Sequence, residues 1–591
     1  MINIRNLETE LWSAADTLRQ GSHLTSQQYC MPVLGLIFLR YAYTRFKYVE
    51  TELLKNRPAR GGRMLPVEAS DFKAQSALFL PEEAQYSYLL NLPNDAEAGK
   101  AINTAMEKVE EQSEQLKGIL PKTYTEFGND LLRELLRDFN HSALESIQDD
   151  VIGRIYEYFL NKFAPVVATD DGVFFTPKSL VRMIVNIIEP THGIVLDPAC
   201  GSGGMFVSSG DFVQNIGQNP TERITFYGQE KTEYNAELCL MNMAVHGLNA
   251  IIRSGDEANT YYNDAHGLEG KCDYVMANPP FNVDKVKEES AKNAGRLPFG
   301  LPGVNKDKEV SNANYLWISY FYAYLNDKGR AGFVMASSAT DSGGKDRTIR
   351  ESLVGTGHVD VILSVAPNFF YTKSLPCTLW FFDKGKQAEL QDRVLFIDAR
   401  NYYTAVDRTL NEWTPWQMNN LNAIVWLYRG ETDKYRALID EYEHALGGGD
   451  FTAISSRLAD ELAKLENGKK DAANIKDRTK KKAAAAFLDE AIAQKKAQIQ
   501  TVGEALWLTE KFGDGVYKDI PGLCRLASRA DIKEKNWSLT PGAYVGVTET
   551  VQEDDDFAGR MREIHQELLK LEVEANGLME TISRNYQRVL G

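Results

Sequence analysis

The amino-acid sequence predicts an α/β domain built around a doubly wound, mostly parallel sheet, with helical regions before and after it in the chain. From about residue 165 to residue 410, short apolar runs rich in β-branched residues alternate with helical patterns. This alternation is typical of a parallel sheet that has helices packed on both faces. The predicted strands are GIVLD (193–197), ITFYGQE (224–230), CDYVMANPP (272–280), AGFVMASS (331–338), VDVILSV (359–365) and TLWFFDK (378–384).

Residues 1–164 are predicted to form an N-terminal helical domain. Apolar residues keep near-helical spacing from Thr25 to Phe46, and Ser26 is placed to cap the start of that helix. Residues 56–67 contain two prolines and two glycines and are predicted to form a loop. An amphipathic helix is expected from Ala143 to Ala164.

Beyond the α/β domain (165–410), residues 411–550 are predicted to be mainly helical. Two Pro-Gly pairs interrupt the helical pattern within residues 519–546. Residues 461–500 contain ten Ala and ten Lys or Arg against six Asp or Glu, a local charge of +4 (10 − 6).

Residues 551–591 are predicted to form one long terminal helix, preceded by three aspartates (554–556) that suit the helix dipole. Its apolar positions alternate steps of four and three residues, which is the spacing of a heptad seam. The seam could pack on the chain's own domain, but its length favours pairing with helices of another chain. The seam residues are Phe557, Met561, Ile564, Leu568, Leu571, Ala575, Leu578, Ile582, Asn585 and Val589.

Length and composition exclude several classes of protein. A chain of 591 residues with 43% hydrophobic and 25% charged residues has three or four domains and a sizeable core. The longest apolar stretch, Met31–Leu39, is too short to span a bilayer, and we expect no export signal. Six distant cysteines and eight histidines show no ligand spacing, so we expect no metal site and a reducing, cytoplasmic location.

The net charge of −16 argues against a protein that holds nucleic acid over its whole surface. It is compatible with a local basic channel, or with a partner that carries most of the positive charge.

A glycine-rich turn follows the first predicted strand, in GIVLDPACGSGGMF (193–206). Gly201, Gly203 and Gly204 would let the backbone approach a ligand closely at the start of a helix. The pattern differs from the G-x-G-x-x-G of dinucleotide-binding proteins. It begins with Asp197 at the strand end, which favours a ligand with a cationic group and no phosphate, such as the amino-acid portion of S-adenosylmethionine. A glycine-rich turn alone is more often structural than functional.

A second motif, Asn278-Pro279-Pro280-Phe281, directly follows the strand CDYVMA. The two prolines end the strand and stiffen the turn, because each fixes φ and lacks an N–H. The Asn278 side-chain oxygen and the Pro279 carbonyl remain as acceptors, followed by an aromatic ring. This arrangement favours the binding of a planar exocyclic amine, although such a turn alone could also be an ordinary strand-to-loop connection.

Two further acidic residues are expected at strand ends. Glu230 ends its strand about 30 residues after the glycine turn, where an acid usually holds ribose hydroxyls in this topology. Asp256 would end the next strand, near an adenine ring. Upstream, in GVFFTPKSL (172–180), Thr176 is expected to cap a helix and Pro177 to occupy its first position.

Together these motifs resemble those of S-adenosylmethionine-dependent DNA methyltransferases that modify amino groups, and more narrowly the modification subunits of type I restriction-modification systems. The resemblance covers nearly the whole chain and implies a Rossmann-like methyltransferase fold. The segments that carry it are LTSQQYCMPVLGLIFLRYAY, IGRIYEYFLNKFA with GVFFTPKSL, DPACGSGGMF, NPPF, and KNWSLTPGAYVG with the terminal helix.

The resemblance also implies roles for individual residues. Glu230 would bind the ribose of the cofactor, and Asn278, Pro279, Pro280 and Phe281 would hold the adenine amine. Ser202 stands where family members often have Thr, and it keeps the hydroxyl. The residues predicted to bind S-adenosylmethionine are Val173, Phe174, Phe175, Thr176, Pro177, Lys178, Asp197, Ala199, Gly201, Ser202, Gly203, Gly204, Glu230 and Asp256.

The implied reaction is methyl transfer to N6 of an adenine flipped out of double-stranded DNA. Asn278 and the Pro279 carbonyl would accept hydrogen bonds from the amine, and Phe281 would stack on the base. A second aromatic residue from 368–373 is expected to close the other side of the base. The long loop 282–310 is predicted to be a flap that becomes ordered on binding.

The region after residue 410 leaves little space for a target-recognition domain. We therefore expect a separate specificity subunit, docked through the terminal helix (554–591). The family implies two modification subunits for each specificity subunit, and association with a motor-nuclease subunit for restriction.

Two other functions fit parts of the pattern. The turn also occurs in methyltransferases that act on RNA or on protein glutamine, and a scaffold could bind S-adenosylmethionine without catalysis. The flanking helical regions disfavour the first alternative, and the intact Asn278, Asp197 and glycines disfavour the second.

Overall fold

The computed structural model describes residues 8, 10–16, 26–55, 59–60, 63–64, 67–73, 77–140, 155–160, 162–163, 176–370, 375–406, 408, 410–472, 474, 477–547, 565 and 579. Residues 1–545 belong to one compact unit and residues 546–591 to a second. The predicted terminal helix lies outside the described residues except for His565 and Met579, which are helical.

A nine-stranded sheet at the centre of the first unit confirms the predicted fold class, and all six predicted strands are present in it. Three strands of the sheet were not among those six. They are Ala250–Ser254, which was expected only as the strand that ends near Asp256, and Arg393–Asp398 and Cys524–Ser528, which were not predicted. The strands are β1 (Gly193–Asp197), β2 (Ile224–Glu230), β3 (Ala250–Ser254), β4 (Cys272–Ala277), β5 (Leu325–Ala336), β6 (Val359–Ser364), β7 (Cys377–Asp383), β8 (Arg393–Asp398) and β9 (Cys524–Ser528).

The order across the sheet is β9-β8-β6-β7-β5-β4-β1-β2-β3. Strands β1 to β6 and β8 run in one direction, and β7 and β9 run antiparallel to their neighbours. The edge strand β9 comes from the region 411–550, so this mainly helical region also completes the sheet. The chain reverses its direction across the sheet between β1 and β4, and ligands of such sheets bind at this switch point.

Helices flank the sheet and build the regions on either side of it. The helices of ten or more residues are α1 (Ser26–Lys55), α2 (Ala98–Glu110), α3 (Asn129–Asp138), α4 (Lys178–Ile188), α5 (Gly204–Asn215), α6 (Glu233–Val245), α7 (Asn314–Tyr324), α8 (Gly344–Gly355), α9 (Pro415–Arg429), α10 (Thr432–Leu446), α11 (Phe451–Ala472) and α12 (Arg478–Phe512). Shorter helices are Ala69–Lys73, Tyr86–Leu90, Pro220–Arg223, Glu288–Asn293, Arg529–Glu534 and Gly542–Val545. Small strand pairs join Ala59–Arg60 to Arg63–Met64, Val286–Lys287 to Glu309–Val310, and Thr404–Ala405 to Asn411–Glu412.

Alternate side chains of the central strands enter two different cores. On β7, Leu379 and Phe381 pack with α4 and α9, whereas Trp380 and Phe382 pack with α7 and α8 on the other face. Every residue of β7 is buried, as expected for a strand that is covered on both faces. This explains why the strand is a continuous apolar run rather than an alternating one.

The N-terminal helices have a core of their own, which also attaches them to the sheet. Side chains of α1, α2 and α3 pack together with Leu238, Met241 and Val245 of α6. Of the helix expected at 143–164, residues 155–160 and 162–163 are described, and they are helical. No helix among the described residues is long and apolar enough to cross a membrane.

A buried ion cluster joins the sheet to the C-terminal helical region. Asp360 on β6 accepts hydrogen bonds from Arg429 Nη2 at 2.8 Å and from the Tyr428 hydroxyl at 3.0 Å, and Lys386 Nζ lies 3.5 Å away. Both partners at hydrogen-bond distance are at the end of α9. Burial alone would raise the pKa of Asp360, but Arg429 and Lys386 outweigh it and lower the pKa to about 2.

Removing this carboxylate should weaken the packing of α9 against β6 and so destabilise the protein. We expect Asp360→Ala to lower the free energy of unfolding by about 3–5 kcal/mol, because it leaves two buried cations unpaired. Asp392→Ala is the control, because it breaks an exposed pair with Arg529 (2.9 Å) that should contribute less than about 1 kcal/mol. Urea denaturation measures both variants, and equal losses would contradict the role of the cluster.

Candidate active site

The glycine turn connects β1 to α5 and is shaped by two residues with positive φ. Gly201 has a φ of 49° and Gly203 a φ of 79°, both in the left-handed region. A Cβ on Gly203 would lie 2.7 Å from the Cys239 sulfur on α6, so no larger residue fits there without moving this buried side chain. The turn therefore keeps its backbone close to α6 at the start of α5.

Glu230 at the end of β2 is held against this turn. Its Oε2 accepts a hydrogen bond from the Gly201 amide at 3.1 Å, and its Oε1 accepts one from the Thr232 amide at 2.9 Å. Two residues predicted from separate motifs are thus in contact. Asp256, by contrast, is exposed. It lies two residues after Ser254, the last residue of β3, and Ser254 is the residue paired with Glu230 across the sheet.

Asp197 ends β1 with its side chain only 2% exposed. Burial raises the pKa of its carboxyl group to about 8, and the negative charge of Glu230 adds to the effect. A hydrogen bond from the Ala199 amide at 3.0 Å opposes the shift. At neutral pH the group is largely protonated, and a cationic ligand beside it would favour the ionised form.

The Asn278-Pro279-Pro280-Phe281 motif begins directly after β4, on the opposite side of β1 from β2. The Asn278 Nδ2 donates a hydrogen bond to the Thr176 hydroxyl at 3.0 Å, which fixes the orientation of the amide. The Asn278 Oδ1 is buried and has no hydrogen-bond partner among the described residues. A buried acceptor without a donor is uncommon in native proteins and indicates a place for an external donor.

Phe281 is half-buried and contacts a second aromatic side chain. Its ring meets that of Phe370 edge-on, with centroids 6.3 Å apart and planes at 87°. Phe370 belongs to the segment 368–373 from which a second ring was expected, and residues 371–373 lie outside the described part of the chain. The two rings are therefore perpendicular rather than stacked on each other.

An asparagine pair that was not predicted from the sequence holds the turn after Phe281. Asn282 has a φ of 55°, and its backbone N–H donates a hydrogen bond to Asn314 Oδ1 at 2.9 Å. Asn314 Nδ2 donates back to Asn282 Oδ1 at 2.9 Å, and Asn312 Nδ2 donates to the same oxygen at 3.1 Å. The only signal in the sequence was three asparagines in two short segments 30 residues apart, which does not reveal that they meet.

The segment before α4 differs from the prediction at one point. The expectation that Thr176 caps this helix is wrong, because its hydroxyl bonds to Asn278 and Pro177 occupies the cap position without a side-chain bond. Lys178, the first residue of α4, pairs with Glu157 of the N-terminal region. Val173, Phe174 and Phe175 lie outside the described residues.

The segment 282–310, predicted to be a long loop that becomes ordered on binding, contains a short helix and two short strands. Its Arg296 is 2% exposed and donates to the Tyr324 hydroxyl at 2.6 Å and to the Thr260 carbonyl at 3.0 Å. The guanidinium also lies 4.3 Å from the centre of the Tyr320 ring. These contacts anchor the middle of the segment to α7. The expectation that the segment becomes ordered on binding stays a prediction.

Comparison with known proteins shows the family. Residues 147–444 match the family model described as N-6 DNA Methylase, and residues 7–139 match the HsdM N-terminal domain. The methylase subunit of the type I restriction enzyme MjaIX of Methanocaldococcus jannaschii is 35% identical over 423 residues, which is 68% of this chain and 74% of that protein. This chain belongs to the N-6 DNA methylase family.

Within this family the chain is a modification subunit of a type I restriction-modification system and an adenine-specific DNA methyltransferase. The alternatives of an RNA or protein substrate, or of a scaffold without catalysis, are not favoured by these similarities.

Solved structures agree with the methylase fold. The methyltransferase subunit of the type I restriction-modification system from Streptococcus thermophilus has a TM-score of 0.61 at 17% identity, covering 92% of this chain and 99% of that chain. A chain from a structural study of type I complex assembly has a TM-score of 0.50 at 16% identity, covering 98% of this chain and 99% of that chain. At these identities the similarity shows the fold of the methylase.

The buried Asp197 makes a prediction about pH. Its pKa of about 8 in the folded methylase exceeds the value of about 3.9 expected when it is unfolded. The folded state therefore keeps a proton that the unfolded chain releases, and the contribution of this group to stability falls as pH rises from about 4 to about 8. The expected slope is at most about 1.4 kcal/mol per pH unit.

Asp197→Asn should remove this contribution, whereas Asp256→Asn, which changes an exposed carboxylate, should leave it intact. Urea denaturation between pH 5 and 8 measures the free energy of unfolding of each variant. The same pH dependence in Asp197→Asn and in the unaltered protein would show that Asp197 does not carry the shift.

Proposed function

We propose that this chain transfers the methyl group of S-adenosylmethionine to N6 of an adenine flipped out of double-stranded DNA. In this proposal the glycine turn, Asp197 and Glu230 bind the cofactor, and Asn278, Pro279, Pro280 and Phe281 bind the base. The observation that carries the proposal is the buried Asn278 Oδ1 at the switch point of the sheet, which has no hydrogen-bond partner in the described part of the chain. An exocyclic amine would supply the missing hydrogen-bond donor.

The cofactor side of the site fits the parts of S-adenosylmethionine. The ionised form of Asp197 would pair with the ammonium group of its methionine portion, and the Glu230 carboxylate would accept bonds from the ribose hydroxyls. Glu230 is already fixed by two amide donors, so it offers its remaining lone pairs in one direction. The residues 173–178 would close the cofactor side, with Thr176 shared between cofactor and base.

The base side of the site would make a poor nucleophile reactive. The lone pair of the adenine N6 is delocalised into the ring, and hydrogen bonds to Asn278 Oδ1 and the Pro279 carbonyl would pull the amine towards tetrahedral geometry. S-adenosylmethionine supplies an electrophilic methyl group on a sulfonium. Because the turn is rigid, the chain would contribute mainly positioning and electrostatic stabilisation.

Phe281 would stack on the flipped adenine. Removing the base from the duplex costs stacking energy, and stacking on the Phe281 ring would recover part of it. The perpendicular contact with Phe370 helps to hold the Phe281 ring. The asparagine pair behind Phe281 fixes the backbone that carries it.

We infer that sequence recognition comes from a separate specificity subunit, bound through the terminal heptad helix (554–591). The apolar seam and the net charge of −16 support this, since the surface of so acidic a chain is as a whole a poor match for DNA. Two copies of this chain per specificity subunit and a motor-nuclease subunit complete the proposed assembly. With genomic DNA as substrate and six free cysteines, we propose a cytoplasmic location.

Gly203→Asp tests the cofactor site. We expect it to abolish S-adenosylmethionine binding, because its side chain would clash at Cys239 and add a like charge near Asp197. Gly217→Asp is the matched control, since Gly217 has a φ of 77° and open space around it. Isothermal titration that shows unchanged affinity for Gly203→Asp would refute the cofactor assignment.

Asn278→Ala tests the base site. We expect methyl transfer to DNA by the assembled enzyme to fall by about 10²–10³, similar to the loss of one preorganised catalytic hydrogen bond. Binding of S-adenosylmethionine should stay within about threefold, a difference of less than about 0.7 kcal/mol. As control, Asn326→Ala removes an amide that donates to Asp273 at the opposite end of the sheet (2.9 Å).

Radiolabelled methyl transfer to unmethylated DNA measures the first effect and titration the second. Activity of Asn278→Ala within about tenfold of the unaltered enzyme, or about 1.4 kcal/mol, would remove Asn278 from the mechanism.

A further inference from the structure

Helices α11 and α12 form a long antiparallel hairpin, which we call the arm (residues 451–512). Val502 in the lower part of α12 is fully buried in the core of the first unit. Farther out, the two helices are joined to each other, for example by the ion pair of Glu461 with Lys495 at 2.7 Å. At a rise of about 1.5 Å per residue, α12 continues for about 36 Å from Val502 to its first residue, Arg478.

The outer end of the arm, its tip (residues 468–482), is strongly basic. It contains seven Lys or Arg and two Asp, a charge of +5 (7 − 2) in a chain of net charge −16. Four of its basic residues are exposed and have no carboxylate within 4 Å among the described residues. They are Lys470, Arg478, Lys480 and Lys482.

This charge does not stabilise the arm itself. Three of the four exposed basic residues lie in the first turns of α12, where the helix dipole disfavours cations. The acid that caps this helix, Asp477, already accepts hydrogen bonds from the amides of Thr479 and Lys480 at 2.9 and 3.0 Å. The four exposed basic residues are thus a concentration of positive charge that no carboxylate among the described residues neutralises.

The root of the arm is connected by aromatic contacts to the proposed base site. Trp507 of α12 stacks on Tyr402, with centroids 4.1 Å apart and planes at 12°. The neighbouring Tyr403 contacts Phe369, with centroids 6.3 Å apart. Phe370, the residue after Phe369, packs its ring against Phe281. DNA whose base lies at Phe281 would therefore pass near the root of the arm.

We propose that the tip of the arm binds the phosphate backbone of the duplex that flanks the target adenine. The proposal rests on the proposed function, because it takes the position of the duplex from the base site. A length of about 36 Å corresponds to about ten base pairs at 3.4 Å each, so a duplex that runs along the arm would meet the tip about one helical turn from the root.

Duplex DNA fits the tip better than a protein surface does. The cores of protein interfaces are rich in aromatic residues and depleted in Lys, whereas the tip has Ile475 as its one large apolar residue. Duplex DNA carries one negative charge per about 1.7 Å, and binding to several cations releases condensed counterions. An acidic protein partner is the alternative, and the test below separates the two.

The test uses the full-length chain with three charges removed: Arg478→Gln, Lys480→Gln and Lys482→Gln together. Gln keeps helix propensity, so α12 should stay intact. Fluorescence anisotropy with a duplex of about 30 base pairs gives the affinity at salt concentrations from about 20 to about 150 mM. We expect the plot of log affinity against log salt to become less steep by about 2.7, and binding at about 0.1 M salt to weaken at least tenfold.

A control variant with the same change in net charge separates a local contact from a general effect. It carries Lys117→Gln, Lys518→Gln and Lys533→Gln, three exposed lysines outside the arm. We expect its salt dependence to match that of the unaltered chain. S-adenosylmethionine binding, measured on the same preparations, should be unchanged in both variants and reports the proposed function separately.

A flatter salt dependence in the arm variant alone supports the contact. Equal changes in the two variants, no change in the arm variant, or no binding of DNA by the unaltered chain at about 20 mM salt would each overturn it. If the arm variant instead keeps DNA binding and loses association with an acidic protein subunit, the tip is a protein-binding surface and the proposal is wrong.

Discussion

The parallel pairing of β1 with β2 on one side and β4 on the other is the constraint on which the site depends. Asp197 is paired with Gly228, and Leu196 with Val275, so the three strands end at one edge of the sheet. Residues that are far apart in sequence therefore leave their strands within reach of one ligand. A slip of one residue in either ladder would turn the side chains to the opposite face and separate the two halves of the site.

The turn that follows β4 is rigid at every residue that the proposed chemistry uses. Two prolines fix φ at successive positions, and the reciprocal bonds between Asn282 and Asn314 hold Asn282, the residue after Phe281, in a left-handed conformation. The cost of leaving Asn278 Oδ1 unpaired is about 1–3 kcal/mol, which the large two-faced core around the sheet can offset. Such a cost is often found where a ligand completes the bonding.

Electrostatics operate on two scales in this chain. The net charge of −16 makes the surface as a whole a poor match for DNA. Against this background, local arrangements of charge have specific consequences: the buried Asp360 cluster joins sheet and helices, Asp197 is neutral until a cation approaches, and the tip of the arm concentrates positive charge. Composition alone describes only the average of these arrangements.

The sequence by itself determined the fold class, six of the strands, the glycine turn and the Asn278 motif. These features depend on strand periodicity and on the backbone preferences of Gly and Pro, which act between neighbouring residues. The tertiary structure decided what depends on residues distant in the chain. It assigned the Thr176 hydroxyl to Asn278 rather than to a helix cap, and it brought Asn314 to Asn282. It also made β9 an edge strand, because five residues acquire that role only by pairing with β8. These contacts join residues 32 or more positions apart, so local sequence patterns contain no trace of them.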